Sequence, residues 1–304
     1  MKARRFKSVY PLRRLVWRPP LQSPIVLLIL LLLTFPLPAQ STPPACPGNE
    51  PAATKSIRTG TARPTTDALE VVAASAAADP TFIISAEPLP NFGIERLRLA
   101  DYADCVGTTG CYWADLEAQI QRAEIQLDRI AAIHKAANPH DKLAIVLDID
   151  ETSLSSYCEE KHEDYGYIRT MFETWIVSPE ASIPIPGTLR LFNHARSLGI
   201  EVFFITGRSG ANGVYPSGTP YTDQTASTAR NLTAAGYKGW TRLILRNQSE
   251  IGMPTTAYKA AERAKIVADG YRIILNMGDQ WSDLNGDPKA EISVKLPNPF
   301  YYLP

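Results

Sequence analysis

The apolar run Leu-Ala-Ile-Val-Leu at residues 143–147 stops abruptly at Asp148-Ile149-Asp150-Glu151-Thr152. A short apolar run with polar residues at both ends reads as a strand buried on both faces, which is the signature of a parallel sheet. In open α/β sheets ligands bind outside the carboxyl ends of the strands. Two carboxylates two residues apart at such an end therefore stand where chemistry is done.

The rest of the chain follows the same grammar. Residues 114–135 repeat apolar side chains at helical spacing through Leu116, Ile120, Ala123, Leu127, Ile130 and Ala131. A helix is expected at 187–198, stopped by Gly199, then a strand at 201–205 and a helix at 223–235, stopped by Gly236. A strand at 243–245, a helix at 257–268, a strand at 271–277 and a last strand at 292–296 complete the series. Strands alternating with helices of this length predict βαβ units: an α/β, Rossmann-like parallel sheet with helices on both faces. Residues 153–185 break the alternation and carry Tyr157, Tyr165, Tyr167, Phe172 and Trp175, as a small helical cap inserted into the core would.

Three strand ends carry polar residues of a consistent kind. The first ends in Asp148 and Asp150, the second in Thr206-Gly207-Arg208, and the strand at 271–277 in Gly278-Asp279-Gln280-Trp281-Ser282-Asp283. Lys259 opens the helix before that last strand. If the strands are parallel, all of these groups converge on one edge. Each motif alone has a plain structural explanation, such as a turn or a helix cap; their joint order is what points to a site.

In these stretches the chain resembles the haloacid dehalogenase superfamily, whose motifs are Asp-x-Asp-x-Thr, a Thr or Ser after an apolar strand, a Lys, and Gly-Asp-x-x-x-Asp. It is most similar to the class IIIB acid phosphatases over residues 91–304, with further matches at Gly187-Thr188-Leu189-Arg190-Leu191-Phe192-Asn193 and Tyr258-Lys259. The resemblance implies a Mg²⁺-dependent phosphomonoesterase. Asp148 is then the nucleophile that forms an aspartyl-phosphate, and Asp150 the general acid and base. Thr206 and Gly207 bind the phosphate, and Lys259 offsets negative charge, with Lys265 a rival for that role. Mg²⁺ is expected on Asp148, the backbone carbonyl of Asp150, and Asp279, with Asp283 and Arg208 around them. Nucleoside 5′-monophosphates fit the aromatic cap; a storage or binding protein on the same fold is the alternative.

Charge and cysteines set the context. Of 31 basic residues seven lie in residues 1–39, which hold no acid, so 24 remain against 31 acidic residues, a balance of −7. Such a surface is a poor match for a nucleic-acid polymer. The basic head runs into 11 apolar or near-apolar residues at 25–35, short of the roughly 20 that span a bilayer. With Leu37-Pro38-Ala39 before Gln40, this is a secretory signal pattern, and export to the periplasm or outside is expected with no stable membrane anchor. Residues 40–90, rich in Pro, Ala, Thr and Ser, read as a tether with one short helix at 68–78, ahead of a phosphatase domain at 91–304. In an oxidising compartment Cys105 and Cys111 are expected to close a short loop, with free thiols or a metal as alternatives. The Arg-His-Gly of histidine phosphatases, the Gly-Asn-His of dinuclear metallophosphatases and a Walker-type loop are absent. Oligomeric state is left open.

Overall fold

The structure, a computed structural model, describes residues 42–46, 91–215 and 217–303. The expected signal, the helix at 68–78 and most of the tether lie outside these residues. Strands β1 (Lys142–Leu147), β2 (Glu201–Ser209), β5 (Arg242–Arg246), β6 (Tyr271–Gly278) and β7 (Ile292–Lys295) form one sheet in the order β5-β2-β1-β6-β7, every pair parallel. Strands β3 (Gly213–Val214) and β4 (Pro220–Tyr221) make a separate antiparallel hairpin, which the sequence reading did not anticipate.

Both faces of the sheet are covered. Leu143, Ile145 and Leu147 of β1 enter one core with Val202 and Phe204 of β2, while Ala144 and Val146 enter the other with Phe203 and Ile205. This period-two split explains why the strands read as continuous apolar runs. The first core is roofed by α1 (Phe92–Asp104), α2 (Tyr112–Ala137) and α5 (Pro186–Ser197). Gly187 lets α5 approach α2: a Cβ there would lie 2.8 Å from Glu117 and 2.9 Å from Ile120. The second core packs on α7 (Thr255–Ala268) through Tyr258 and Ile266. Helix α6 (Thr225–Ala234) lies between β4 and β5 in the chain. Among the described residues no helix is long and apolar enough to cross a membrane.

Residues 153–185 form a small helical segment with α3 (Tyr157–His162), α4 (Arg169–Trp175) and a 3₁₀ turn, Pro179–Ala181. Its two ends are stitched together by Ser155 N–H to Ile183 O at 2.9 Å and Ile185 N–H to Ser153 O at 3.0 Å. The aromatics divide by role. Tyr157 and Tyr165 are buried and donate to Asp104 at 2.8 and 3.3 Å, and Tyr165 stacks on Phe300. Tyr167, Phe172 and Trp175 form a second cluster with ring centroids 5.5 and 5.7 Å apart, and Tyr167 is 62% exposed.

Disulfides join Cys105 to Cys111, as expected, and Cys46 to Cys158 across 112 residues. The second ties residues 42–46 to α3, so this part of the tether is anchored.

Glu160 is buried in the cap, and burial, reinforced by Glu151, Glu163 and Glu159, raises its pKa from 4.5 to about 8. The folded chain therefore holds a proton that the unfolded chain releases. The resulting stabilisation is complete below pH 4.5 and is lost as pH rises through about 8. Melting curves collected between pH 5 and 8 should show Tm falling as pH rises, with a flatter dependence in Glu160→Gln. An identical slope in that variant would contradict the assignment.

Candidate active site

The carboxyl edge of the sheet gathers Asp148, Asp150, Thr206, Gly207, Arg208, Lys259, Asp279 and Asp283. Asp148 continues β1 by one residue, its N–H donating to Met277 O at 3.0 Å. The chain then turns sharply. The amides of Thr152, Ser153 and Leu154 all converge on Ile149 O, at 3.2, 2.8 and 2.8 Å. This turn holds Glu151 at φ 52°, a left-handed conformation costly for a residue with a side chain. It persists because the Glu151 carboxylate is over-determined: it accepts from Tyr112 Oη at 2.7 Å, Ser156 N at 2.5 Å and Ser156 Oγ at 2.7 Å. Burial raises its pKa to about 7 against the pull of those donors. Ser153 Oγ, donating to Asp148 O at 2.6 Å, and Tyr237 Oη, donating to Ser153 O at 2.8 Å, brace the same turn from the core.

Lys259 reaches this turn from the first half of α7. Its Nζ lies 2.5 Å from Asp148 Oδ1 and 2.5 Å from Asp283 Oδ1, and all three side chains are buried. Burial alone would lower the amine's pKa, but the two carboxylates hold it above the ordinary lysine value. Burial raises the Asp148 pKa well above its usual range; Lys259 opposes this, and Asp283, Asp279 and Asp150 add to it. Lys265, the rival, lies elsewhere: its exposed side chain pairs with Glu250 and Glu262.

Asp279 follows β6, and Asp283 lies in the short helix α8 (Trp281–Leu284). Gln280 N–H donates to Asp283 Oδ2 at 2.7 Å, closing a capping box at the start of that helix. Gly278 is required here, since a Cβ would sit 2.3 Å from Asp283 Oδ2. Arg263, one turn beyond Lys259 and fully buried, donates to the carbonyls of Asp283, Asn285, Gly286 and Pro288 at 2.6–2.9 Å. It clamps the loop that carries Asp283. Asp148, Asp279 and Asp283 each offer an oxygen within 4.8 Å of the other two.

On the other flank β2 runs further than its apolar residues suggest. It extends through Ser209, with a register shift between Ile205 and Ser209, because Ser209 pairs again with Arg246 of β5. Thr206, Gly207 and Arg208 therefore lie in the irregular end of the strand. Arg208 Nη2 lies 2.7 Å from Asp150 Oδ1, and its Nε lies 3.2 and 3.1 Å from the two Asp150 oxygens. Thr206 Oγ1 stands 3.5 Å from Asp150 Oδ2. The Asp150 side chain is 25% exposed, against 8% for Asp148 and 4% for Asp283, so it is the carboxylate nearest the opening.

Sequence reading missed a surrounding layer. Thr152 Oγ1 donates to Asp279 Oδ1 at 3.2 Å; Gln280 Nε2 and Asn298 Nδ2 donate to Asp279 Oδ2, each at 2.7 Å. Tyr301 meets this layer through its backbone, its O accepting from Gln280 Nε2 at 3.4 Å, and burial, with the charges of Asp279, Asp150, Glu151 and Asp148, raises its phenol well above the ordinary pKa. Thr152 and Gln280 sit inside motifs already noted, without a role assigned to them; nothing in the local sequence distinguishes Asn298 or Tyr301. None of the four histidines participates: His134, His162 and His194 pair with acidic residues, and His140 is exposed.

Removing Lys259 strands two buried carboxylates, which typically costs about 3–5 kcal/mol. Lys259→Ala should lose stability on that scale in urea denaturation without divalent cations, whereas Lys265→Ala should cost less than about 1 kcal/mol. Equal losses would show that Lys259 is not the buried counter-charge.

Residues 71–304 match the family described as HAD superfamily, subfamily IIIB (Acid phosphatase). Relatives include the stem 28 kDa glycoprotein of Glycine max, 36% identical over 54% of this chain and 61% of that protein. Acid phosphatase 1 of Solanum lycopersicum is 35% identical over 52% of this chain and 58% of its own length. Vegetative storage protein 1 of Arabidopsis thaliana is 34% identical over 52% and 55%. The chain thus spans about three fifths of the length of these relatives. A solved class C acid phosphatase from Bacillus anthracis, with tungstate bound, shares the fold at a TM-score of 0.50 and 24% identity, over 68% of this chain and 85% of its own. With its motifs assembled on one sheet edge and its sequence matched over residues 71–304, the chain belongs to the HAD superfamily, subfamily IIIB acid phosphatase family.

Proposed function

We propose that the chain is a cation-dependent acid phosphatase that hydrolyses small phosphomonoesters through an aspartyl-phosphate on Asp148. The observation that carries this reading is the buried Asp148–Lys259–Asp283 array beside Asp279. Asp148, Asp279 and Asp283 bring three carboxylates together, and Lys259 supplies one positive charge. The remainder suits a divalent ion, and an all-oxygen donor set suits Mg²⁺. Asp148, Asp279 and the backbone carbonyl of Asp150 would hold it, with Asp283 adjacent. When bound, it would neutralise phosphate charge and let an anionic nucleophile approach.

The chain's own residues divide the remaining work. The Asp148 carboxylate attacks phosphorus as the ester oxygen leaves. Asp150, two residues on and more exposed than Asp148 or Asp283, gives that oxygen its proton, then takes one from the water that cleaves the aspartyl-phosphate. Arg208 and Thr206 hold the Asp150 side chain and offer donors to phosphate oxygens, as does the amide of Gly207. Lys259 keeps Asp148 compensated throughout.

Nucleoside 5′-monophosphates are the favoured substrates. The Tyr167, Phe172 and Trp175 cluster of the cap is free of the core packing that engages Tyr157 and Tyr165, and offers faces for a base. The signal-like head and the paired cysteines favour an exported protein. Relatives named vegetative storage proteins support a second reading, a non-catalytic reserve protein.

Turnover of p-nitrophenyl phosphate at pH 5–6, with and without EDTA, separates the two. Phosphatase chemistry predicts Mg²⁺-restored turnover, none in Asp148→Asn, and a loss of about 10²–10⁴-fold in Asp150→Asn. A storage protein predicts no turnover in any arm. Comparing kcat/KM for nucleotides, sugar phosphates and aryl phosphates then tests the nucleotide preference; a nucleotide advantage that survives Trp175→Ala would remove the cap cluster from recognition.

A further inference from the structure

Asp279 is 1% exposed, and its hydrogen-bond donors among the described residues are all neutral: Thr152 on Oδ1, and Gln280 and Asn298 together on Oδ2. The two oxygens are therefore unequal. Oδ2 is occupied by two short amide contacts, while Oδ1 has one longer contact to a hydroxyl. The amides are themselves locked. Asn298 Oδ1 accepts from the N–H groups of Phe300 and Tyr301 at 2.8 and 3.4 Å, which leaves its NH₂ to face Asp279. Gln280 Oε1 accepts from Leu303 N at 3.2 Å, and its Nε2 also reaches Tyr301 O at 3.4 Å. The chain after β7 is thus tied to one acidic side chain of the site through two carboxamides.

We propose that Gln280 and Asn298 are positioning residues that present Asp279 to the divalent cation through Oδ1, and that they couple cation binding to the order of residues 298–303. The inference rests on the cation-dependent reading above. A carboxylate held on one oxygen by two neutral donors keeps its full charge and a single direction of approach for a metal. Donors around a metal ligand of this kind commonly account for about 10–100-fold in metal affinity. Carboxamides suit the task better than lysine or arginine, which would compete with the cation for the carboxylate's charge.

The test is Mg²⁺ titration by isothermal calorimetry on the unliganded full chain, which needs no turnover. Asn298→Ala and Gln280→Ala should each weaken Mg²⁺ binding by about 10–100-fold. Turnover should recover as Mg²⁺ is raised, with the substrate KM little changed. Hydrogen exchange at Phe300, Tyr301 and Leu303 should slow on adding Mg²⁺ to the wild type and respond less in the variants. If Asn298→Ala fails to fold, Gln280→Met, close in size and without either amide group, carries the test. Asp279→Asn separates the two levels. If it loses Mg²⁺ binding while the amide variants bind as the wild type does, the positioning role is overturned and the cation site stands. If the wild type binds no Mg²⁺, or Asp279→Asn binds it unchanged, the cation-dependent reading falls and this inference with it.

Discussion

The structure depends on one buried amine, Lys259, held between two carboxylates at the carboxyl edge of the sheet. Charges that far from water are tolerated only when paired and hydrogen-bonded. Here the pairing is incomplete, because Asp279 joins Asp148 and Asp283 and, among the described residues, makes no ion pair of its own. Raised pKa values at Asp148 and Asp279, caused first by burial, register the same deficit. Such a deficit is one that a bound cation would offset.

The fold meets this demand by bringing groups from distant parts of the chain to one edge. β1 delivers Asp148, β6 delivers Asp279, and α7 brings Lys259 and Arg263 from one helix turn to the next. The loop after β6 makes a close turn that Gly278 permits and Arg263 fixes through four carbonyls. The strained turn at Glu151 is similarly held by Tyr112 and Ser156. Rigidity is thus concentrated in the layer behind the carboxylates, while Asp150 and the cap remain nearer to solvent.

Much of this was legible in the chain itself. Short apolar runs and helical spacing located the five strands of the main sheet and helices α2, α5, α6 and α7 to within a few residues, because strands buried on both faces are apolar throughout and the helices turn one apolar face to a core. Helix α1 was not read, since its buried residues are mainly the small Ala100 and Ala103, which leave little apolar contrast. The extension of β2 through Ser209 was missed because a renewed pairing with Arg246, not hydrophobicity, defines it. Lys259 was separable from Lys265 only through the family resemblance; the structure separates them by burial. Asn298, Tyr301 and the Cys46–Cys158 bond depend on contacts between segments far apart in the chain, for which local patterns carry no signal.

Trapping the covalent intermediate tests the central claim most directly. Enzyme mixed with a phosphate-labelled ester and quenched in acid within one turnover should carry label on the peptide containing Asp148, and Asp148→Asn should carry none. Label on another residue, or steady release of phosphate by a chain that never becomes labelled, would contradict nucleophilic attack by Asp148.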